Sequence, residues 1–319
     1  MKEAHQLNMF NDIKVACDLN LAKIGIKGDS YLLPGGLGVS LYEVSEECLG
    51  SLYSLPFIEY NFSSLKSSEL SFLNKQKVVS LILPKGNSIP FDAFHGFELK
   101  KLSSRDSKSL DFKSLEDLAL ENLNLSGTKL NDLGFCHPMP LREMDISNTI
   151  VTDLGPIHGK AINQLNIFKT KVTDLSPLGD MPIEEINLSV TEVSDLGPIA
   201  TSGKLKSLEI RSTQVHDLTA LSDCPIEKLI LPGSKVTSIE CLAYLPIKIL
   251  NIVGLKLDSL DVLKSLPLNE LSLSPELIRS DELEMLKELK LSNLRGPSDH
   301  EKQTPEEFFS KYKINKYVE

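Results

Sequence analysis

The sequence predicts an α/β solenoid of about 11–13 coils of 21 residues, with one short strand per coil forming a concave parallel sheet and short 3-10 or loop segments on the convex side. Three observations carry this. One apolar column recurs at fixed spacing, a second follows it at period two, and hydroxyl and carboxylate residues recur where a chain leaving a strand must turn.

The anchor column reads Tyr60, Leu81, Leu102, Leu123, Met144, Leu165, Ile186, Leu208, Leu229, Leu250 and Leu271. Its spacing is 21 residues throughout, except for 22 between Ile186 and Leu208, where the extra residue falls in the Gly/Ser-containing stretch 200–204. Two residues after the anchor stand Leu125, Ile146, Ile167, Leu188, Ile210, Leu231, Ile252 and Leu273. Residues two apart on a strand face the same way, so each coil opens on a short half-buried strand. Further apolar columns (Leu130, Val151, Val172, Val193, Val215, Val236; then Leu133, Leu154, Leu175, Leu196, Leu218, Ile239) complete the inward set. A lone coil would leave its upper and lower faces bare, and stacking buries them.

The unit Ile162 to Pro182 reads I-x-x-L-x-I-x-x-T-x-V-x-D-L-x-P-L-x-x-x-P. This pattern resembles the bacterial leucine-rich repeats of the short internalin-like class, and its T-x-V-x-D-L-x-P-L part is similar to arrays associated with bacterial serine/threonine kinases. The resemblance implies a horseshoe solenoid that binds protein on its concave sheet. It covers Leu99 to Pro267 strongly and Tyr60 to Phe97 faintly, and it departs from the usual repeat in placing Thr at the customary Asn position. No H-R-D, D-F-G or V-A-I-K-like segment is present.

At the ends, residues 1–35 are expected to form a cap or degenerate first coil, with Leu19, Leu21 and Ile24 placed 20 residues ahead of Val39, Leu41 and Val44. The array is expected to span 36–297 and a capping helix 298–319. Thr304-Pro305-Glu306-Glu307 is a capping box opening that helix, whose apolar face carries Phe308, Phe309, Tyr312 and Ile314. The final strand is placed at Leu289 to Leu291, and Gly35-Gly36-Leu37-Gly38 reads as a turn.

Thr128, Thr149, Thr170, Thr191, Thr213 and Ser234 form a hydroxyl column, expected to be buried and to tie neighbouring coils together through backbone groups; it lapses at Leu255 and Glu276. Asp111, Asp132, Asp153, Asp174, Asp195 and Asp217 form a carboxylate column. One carboxylate per coil is too few oxygens for calcium, so these residues are expected to cap the turns that follow.

Composition narrows the function. The 319 residues carry a formal net charge of −10 with no basic cluster, which disfavours phosphate-backbone binding and so nucleic acid. No apolar run is long enough for a membrane span, and no secretory h-region opens the chain, so a cytoplasmic monomer is expected. Cys17, Cys48, Cys136, Cys224 and Cys241 show no metal-ligand spacing, and no nucleophile can be assigned to His158 or His216. No metal, cofactor or catalytic site is therefore expected, and the chain reads as a non-enzymatic scaffold for an unidentified protein partner. The alternative is a regulatory or substrate-docking domain of a larger enzyme such as a bacterial serine/threonine kinase.

Outward strand residues would meet that partner. The central outward column is Asn61, Ile82, Ser103, Asn124, Asp145, Asn166, Asn187, Glu209, Ile230, Asn251 and Ser272, whose polar members are expected to be simply solvated. Against that background Phe168, Arg211, Ile230, Pro232, Ile249 and Val253 stand out as apolar or Arg anchors, with Glu209 beside them. These seven residues are the predicted partner-binding set, with Phe168 and Ile230 expected to be exposed.

Overall fold

From Ser80 onward every coil opens on three extended residues centred on the anchor, because the anchor and the residue two after it point inward while the residue between them points out. The computed structural model describes residues 2–312 apart from 35, 45–50, 53–54, 66–69, 71–72, 74–76, 110, 298, 300 and 302. Two units, Met1–Ile150 and Val151–Glu319, are built of the same coil.

In the first unit, helix α1 (Lys2–Lys23) precedes strands β1 (Lys27–Leu33), β2 (Gly36–Glu43), β3 (Phe57–Phe62), β4 (Ser80–Ile82), β5 (Lys101–Ser103), β6 (Asn122–Asn124) and β7 (Glu143–Asp145). β1 and β2 form an antiparallel hairpin, and from β2 onward each strand pairs in parallel with the next. The register puts the anchors in one row, Val39–Tyr60–Leu81–Leu102–Leu123–Met144. Leu19 and Leu21 lie in α1, so the predicted alignment with a first-coil strand fails: Leu21 is buried while Leu19 is exposed, which is helical rather than period-two spacing. Asp18 ties this helix to β1 by accepting the Ser30 amide at 2.9 Å and its hydroxyl at 2.6 Å. Gly36 to Gly38 belong to β2 rather than to a turn. A side chain at Gly38 would collide with the Tyr31 ring, which crosses that position so that its hydroxyl donates to Glu59 at 2.6 Å.

The second unit runs β8 (Gln164–Asn166), β9 (Glu185–Asn187), helical turn α2 (Gly197–Ala200), β10 (Ser207–Glu209), β11 (Lys228–Ile230), β12 (Ile249–Asn251), β13 (Glu270–Ser272), helix α3 (Ser280–Glu288), β14 (Asn293–Arg295) and helix α4 (Pro305–Tyr312). Its strands are parallel, and the row of anchors is Leu165–Ile186–Leu208–Leu229–Leu250–Leu271–Leu294. The last strand is therefore Asn293–Arg295, not Leu289 to Leu291. Leu291 falls in the inward column three residues before an anchor, and α3 lengthens the preceding coil.

On the side of each coil away from the sheet, most coils make a 3-10 turn, such as Phe112–Leu115, Gly134–Cys136, Ser176–Leu178 and Glu240–Leu242. The core between turn and strand is dry: Ile162, Ile167, Val172 and Leu178 have no measurable exposure. Each such side chain contributes about 1.5–3 kcal/mol by leaving water. In the first unit the turns carry an aromatic row, Phe91, Phe112 and Phe135, with ring centroids 5.5 and 6.0 Å apart.

The capping box at the C-terminal helix forms as the sequence predicts. The Glu307 amide donates to Thr304 Oγ1 at 3.2 Å, and the Thr304 amide donates to the Glu307 carboxylate at 2.8 Å. Phe308 is fully buried and packs on Phe309 and Tyr312, while Ile314 lies outside the described residues.

Candidate interaction face

A three-residue strand leaves its following amides without a ladder partner, so each coil must satisfy them on the way out. Asn166 Oδ1 accepts the Phe168 amide at 3.1 Å, Asn187 that of Ser189 at 3.0 Å, and Asn251 that of Val253 at 3.1 Å; Asn124 and Asp145 do the same for Ser126 and Ser147. These outward side chains are thus turned back onto their own backbone rather than merely solvated, a correction to the sequence expectation. Where the column holds Ile82 or Ile230, neither of which can accept, the residue two on is Pro84 or Pro232, which has no N–H to satisfy. Where it holds Glu209, the Arg211 amide donates instead to Ser189 Oγ at 3.1 Å. Proline after isoleucine is a signal visible in the sequence, and it gives Pro232 a backbone role.

The next residue along is left-handed. Asp106, Gly127, Asn148, Lys169, Val190, Ser212, Gly233 and Gly254 all have positive φ, between 50° and 75°. The turn aims each amide at the neighbouring coil: Lys169 N–H donates to Ser189 C=O at 2.9 Å, Val190 N–H to Arg211 C=O at 2.7 Å, and Ser212 N–H to Pro232 C=O at 2.9 Å. One residue further, each threonine closes the turn. Thr170 Oγ1 donates to the Ile167 carbonyl at 2.8 Å, and Thr128, Thr149, Thr191 and Thr213 repeat the bond at 2.6–2.9 Å. The column is buried as expected, but it binds the carbonyl three residues back in its own coil rather than tying coils together. Ser234 is buried with no partner for its hydroxyl.

The carboxylates cap the next turn. Asp132, Asp153, Asp174, Asp195 and Asp217 each accept the amide two residues on, at 2.7–2.8 Å. Asp111 accepts the Ser114 hydroxyl instead, at 2.6 Å. Ser259 continues the role beyond the aspartates by accepting the Asp261 amide at 3.0 Å. Among the described residues no cluster of His, Cys, Asp or Glu is arranged to hold a metal.

The predicted binding residues sit on the coils of Leu165, Leu208, Leu229 and Leu250 in the second unit, and the coil of Ile186 between the first two holds none of them. Arg211 is half exposed; Phe168, Pro232, Ile249 and Val253 are partly exposed. Glu209 accepts Lys228 Nζ at 2.6 Å and lies 4.0 Å from Arg211. Ile230 is only 4% exposed, against expectation. The register sets it directly between Glu209 and Asn251, about 4.8 Å away on either side, with the Glu209–Lys228 pair crossing beside it. Ile230 is floor, not anchor.

Along the strand entrances runs a row of alternating charge. Lys206 meets Glu184 at 2.7 Å and Lys248 meets Glu227 at 2.7 Å; in the first unit Lys100 meets Glu121 at 2.8 Å. Glu184 raises the Lys206 pKa, and Lys248 lowers that of Glu227. Exposed pairs of this kind add little stability, but they neutralise that border.

No model of a known protein family matches the chain, and no curated protein matches it. Among solved structures, an internalin from Listeria monocytogenes is similar over 80% of this chain and 85% of its own, at 20% identity and a TM-score of 0.60. The fold is that of a leucine-rich-repeat protein. A leucine-rich-repeat protein of Leptospira interrogans is also similar, at 18% identity over 76% of this chain and 60% of its own, but its TM-score of 0.49 adds no argument. Such likenesses to leucine-rich-repeat structures concern the fold alone. Among the described residues no helix is long and apolar enough to cross a membrane.

Proposed function

We propose that this leucine-rich-repeat protein is a non-catalytic scaffold that docks a partner protein, as a monomer, on the outward face of the sheet in its second unit. Phe168, Arg211, Ile249 and Val253 supply the contacts, Glu209 and Pro232 shape their surroundings, and Ile230 lies beneath. The observation that supports this most is a contrast three residues after the anchors. Ser189 and Ser274 at that place are buried, whereas Phe168, Arg211 and Val253 bring aromatic, guanidinium and aliphatic surface to the solvent. Aromatic and Arg side chains are the residue types in which binding energy concentrates.

The test is affinity for the partner measured on single alanine variants. Phe168→Ala or Arg211→Ala should weaken binding at least tenfold, about 1.4 kcal/mol, without lowering Tm. Lys101→Ala, exposed on a strand of the first unit, should leave affinity unchanged. Equal affinity for all three proteins would remove the reading.

A further inference from the structure

The left-handed position after each strand is a demanding one, and the sequence meets it unevenly. Gly127, Gly233 and Gly254 carry no Cβ, Asp106 and Asn148 are types that enter this region readily, and Ser212 is small. Lys169 at φ 54° and Val190 at φ 59° are the exceptions, and they stand on adjacent coils. A β-branched residue there is a steric outlier. Val190 is also 42% exposed, so its side chain gains little burial to offset the strain. Strain kept where packing does not demand it points to a role outside the fold.

Both exceptions border the face described above. Phe168 precedes Lys169 in the chain, and the Val190 amide is bonded to the carbonyl of Arg211. The charges differ there from those of the strand entrances. Lys206, Lys228 and Lys248 are each held by a carboxylate within 2.7 Å. Lys169 is exposed and makes no ion pair among the described residues, and Arg211 approaches Glu209 only to 4.0 Å, Glu209 being engaged by Lys228. The exit edge thus offers two weakly neutralised cations beside two apolar side chains, in a chain whose net charge is −10.

We propose that the edge formed by Phe168, Lys169, Val190 and Arg211 recognises an extended segment of the partner that presents carboxylate side chains next to apolar ones. This rests on reading the outward face as the docking surface. Phe168 and Arg211 are two coils apart, about 10 Å at the spacing of paired strands, which a segment extended as polyproline II covers in about three residues with both side chains on one face. An apolar side chain set against Phe168 and Val190 therefore places a carboxylate three residues away at Arg211, with a second within reach of Lys169.

The probe is a displayed library of random 12-residue peptides selected on the full chain, followed by titration of the enriched peptide, made synthetically, into wild type and variants. Enriched sequences should carry Asp or Glu about three residues from Phe, Leu, Ile or Val. Lys169→Asn and Arg211→Ala should each weaken binding about tenfold, and affinity should fall as salt rises. Val190→Asn should weaken binding several-fold while raising Tm by about 2 °C as the strain is relieved. Failure to enrich any peptide, enrichment of basic or carboxylate-free sequences, or a lowered Tm for Val190→Asn overturns the proposal. If Phe168→Ala and Arg211→Ala weaken binding while Lys169→Asn and Val190→Asn do not, the edge falls and the docking face stands. If none of the four matters, both fall.

Discussion

In the coil from Ile162 to Pro182, Thr170 closes the strand exit, Asp174 accepts the Ser176 amide, and a 3-10 turn at Ser176–Leu178 returns the chain. In the coil from Leu268 to Lys290 the threonine and the aspartate are missing from their places, and a 3-10 turn at Pro275–Leu277 follows the strand directly instead of returning the chain. Pro275 stands at the left-handed position, which proline cannot adopt, Glu276 replaces the threonine, and the nine-residue helix α3 returns the chain. Glu282, 7% exposed, takes over the acceptor role. It receives the Arg279 amide at 3.0 Å, meets the Arg279 guanidinium at 2.7 Å, and reaches the Leu260 amide of the previous coil at 3.3 Å. The packing is looser. Leu268, and Leu255, Leu260 and Leu266 of the coil packed against it, are 7–8% exposed where the coil from Ile162 is dry, and a gap of about 20 Å³ lies among Leu255, Leu257, Leu277 and Glu282. The coil's backbone demands an acceptor wherever its amides lose partners, and a carboxylate from the returning helix can supply it in place of the usual aspartate.

The largest break in that comparison should come at the lid. Phe308 is fully buried beside Tyr312, so Phe308→Ala should cost about 3 kcal/mol or more. Amide hydrogen exchange should speed up first in β13, α3 and β14, with β8 to β10 unaffected. Uniform acceleration across the second unit would show that the end coil is no weaker than the rest.

Acid offers a second handle on the same end. Asp299 is held at a pKa of about 2: burial opposes its charge, but hydrogen bonds from Lys311, the Gly296 amide, Gln303 and Tyr312 outweigh that cost. A carboxylate with a depressed folded pKa lends stability that is present above its unfolded value, near 4, and lost as pH falls toward 2. Protection of α4 from exchange should therefore decline between about pH 4 and pH 2, and Asp299→Asn should flatten that decline. An unchanged profile in Asp299→Asn would assign the acid sensitivity elsewhere.

The smallest effect separates two hydroxyls of one column. Thr170→Val removes the bond to the Ile167 carbonyl, which keeps the Thr170 amide at 3.2 Å, so the cost should be about 1 kcal/mol by denaturant unfolding. Ser234→Ala removes a buried hydroxyl that has no partner, so it should cost nothing or add slightly to stability. Equal losses at both would mean that the column acts through shape rather than hydrogen bonding.

The coil, its strand, the burial of the hydroxyl column and the capping box at Thr304 were all legible in the residues, because each rests on local spacing. A 21-residue period admits few ways to bury Leu165, Ile167, Val172 and Leu175 together, and a capping box closes within four residues. The outward face was legible only in part. That Phe168 and Arg211 interrupt a polar column can be read directly, but that Asn166 and Asn251 are turned back onto their own amides cannot. Nothing in the sequence marks Lys169 and Val190, since a residue's φ is not written in its type.

What the sequence determined by itself was therefore the repeat and the set of side chains each coil turns inward. Only the tertiary structure decided the rest: that Ile230 is floor rather than anchor, that the threonines bond within their own coil, that the final strand is Asn293–Arg295 behind a helix, and that Lys169 and Val190 occupy the left-handed place after their strands. The reason is that period fixes which side chains must leave water. Exposure, bond partners and backbone strain depend on what the neighbouring coils place against each position, and those neighbours lie 21 residues or more away in the chain.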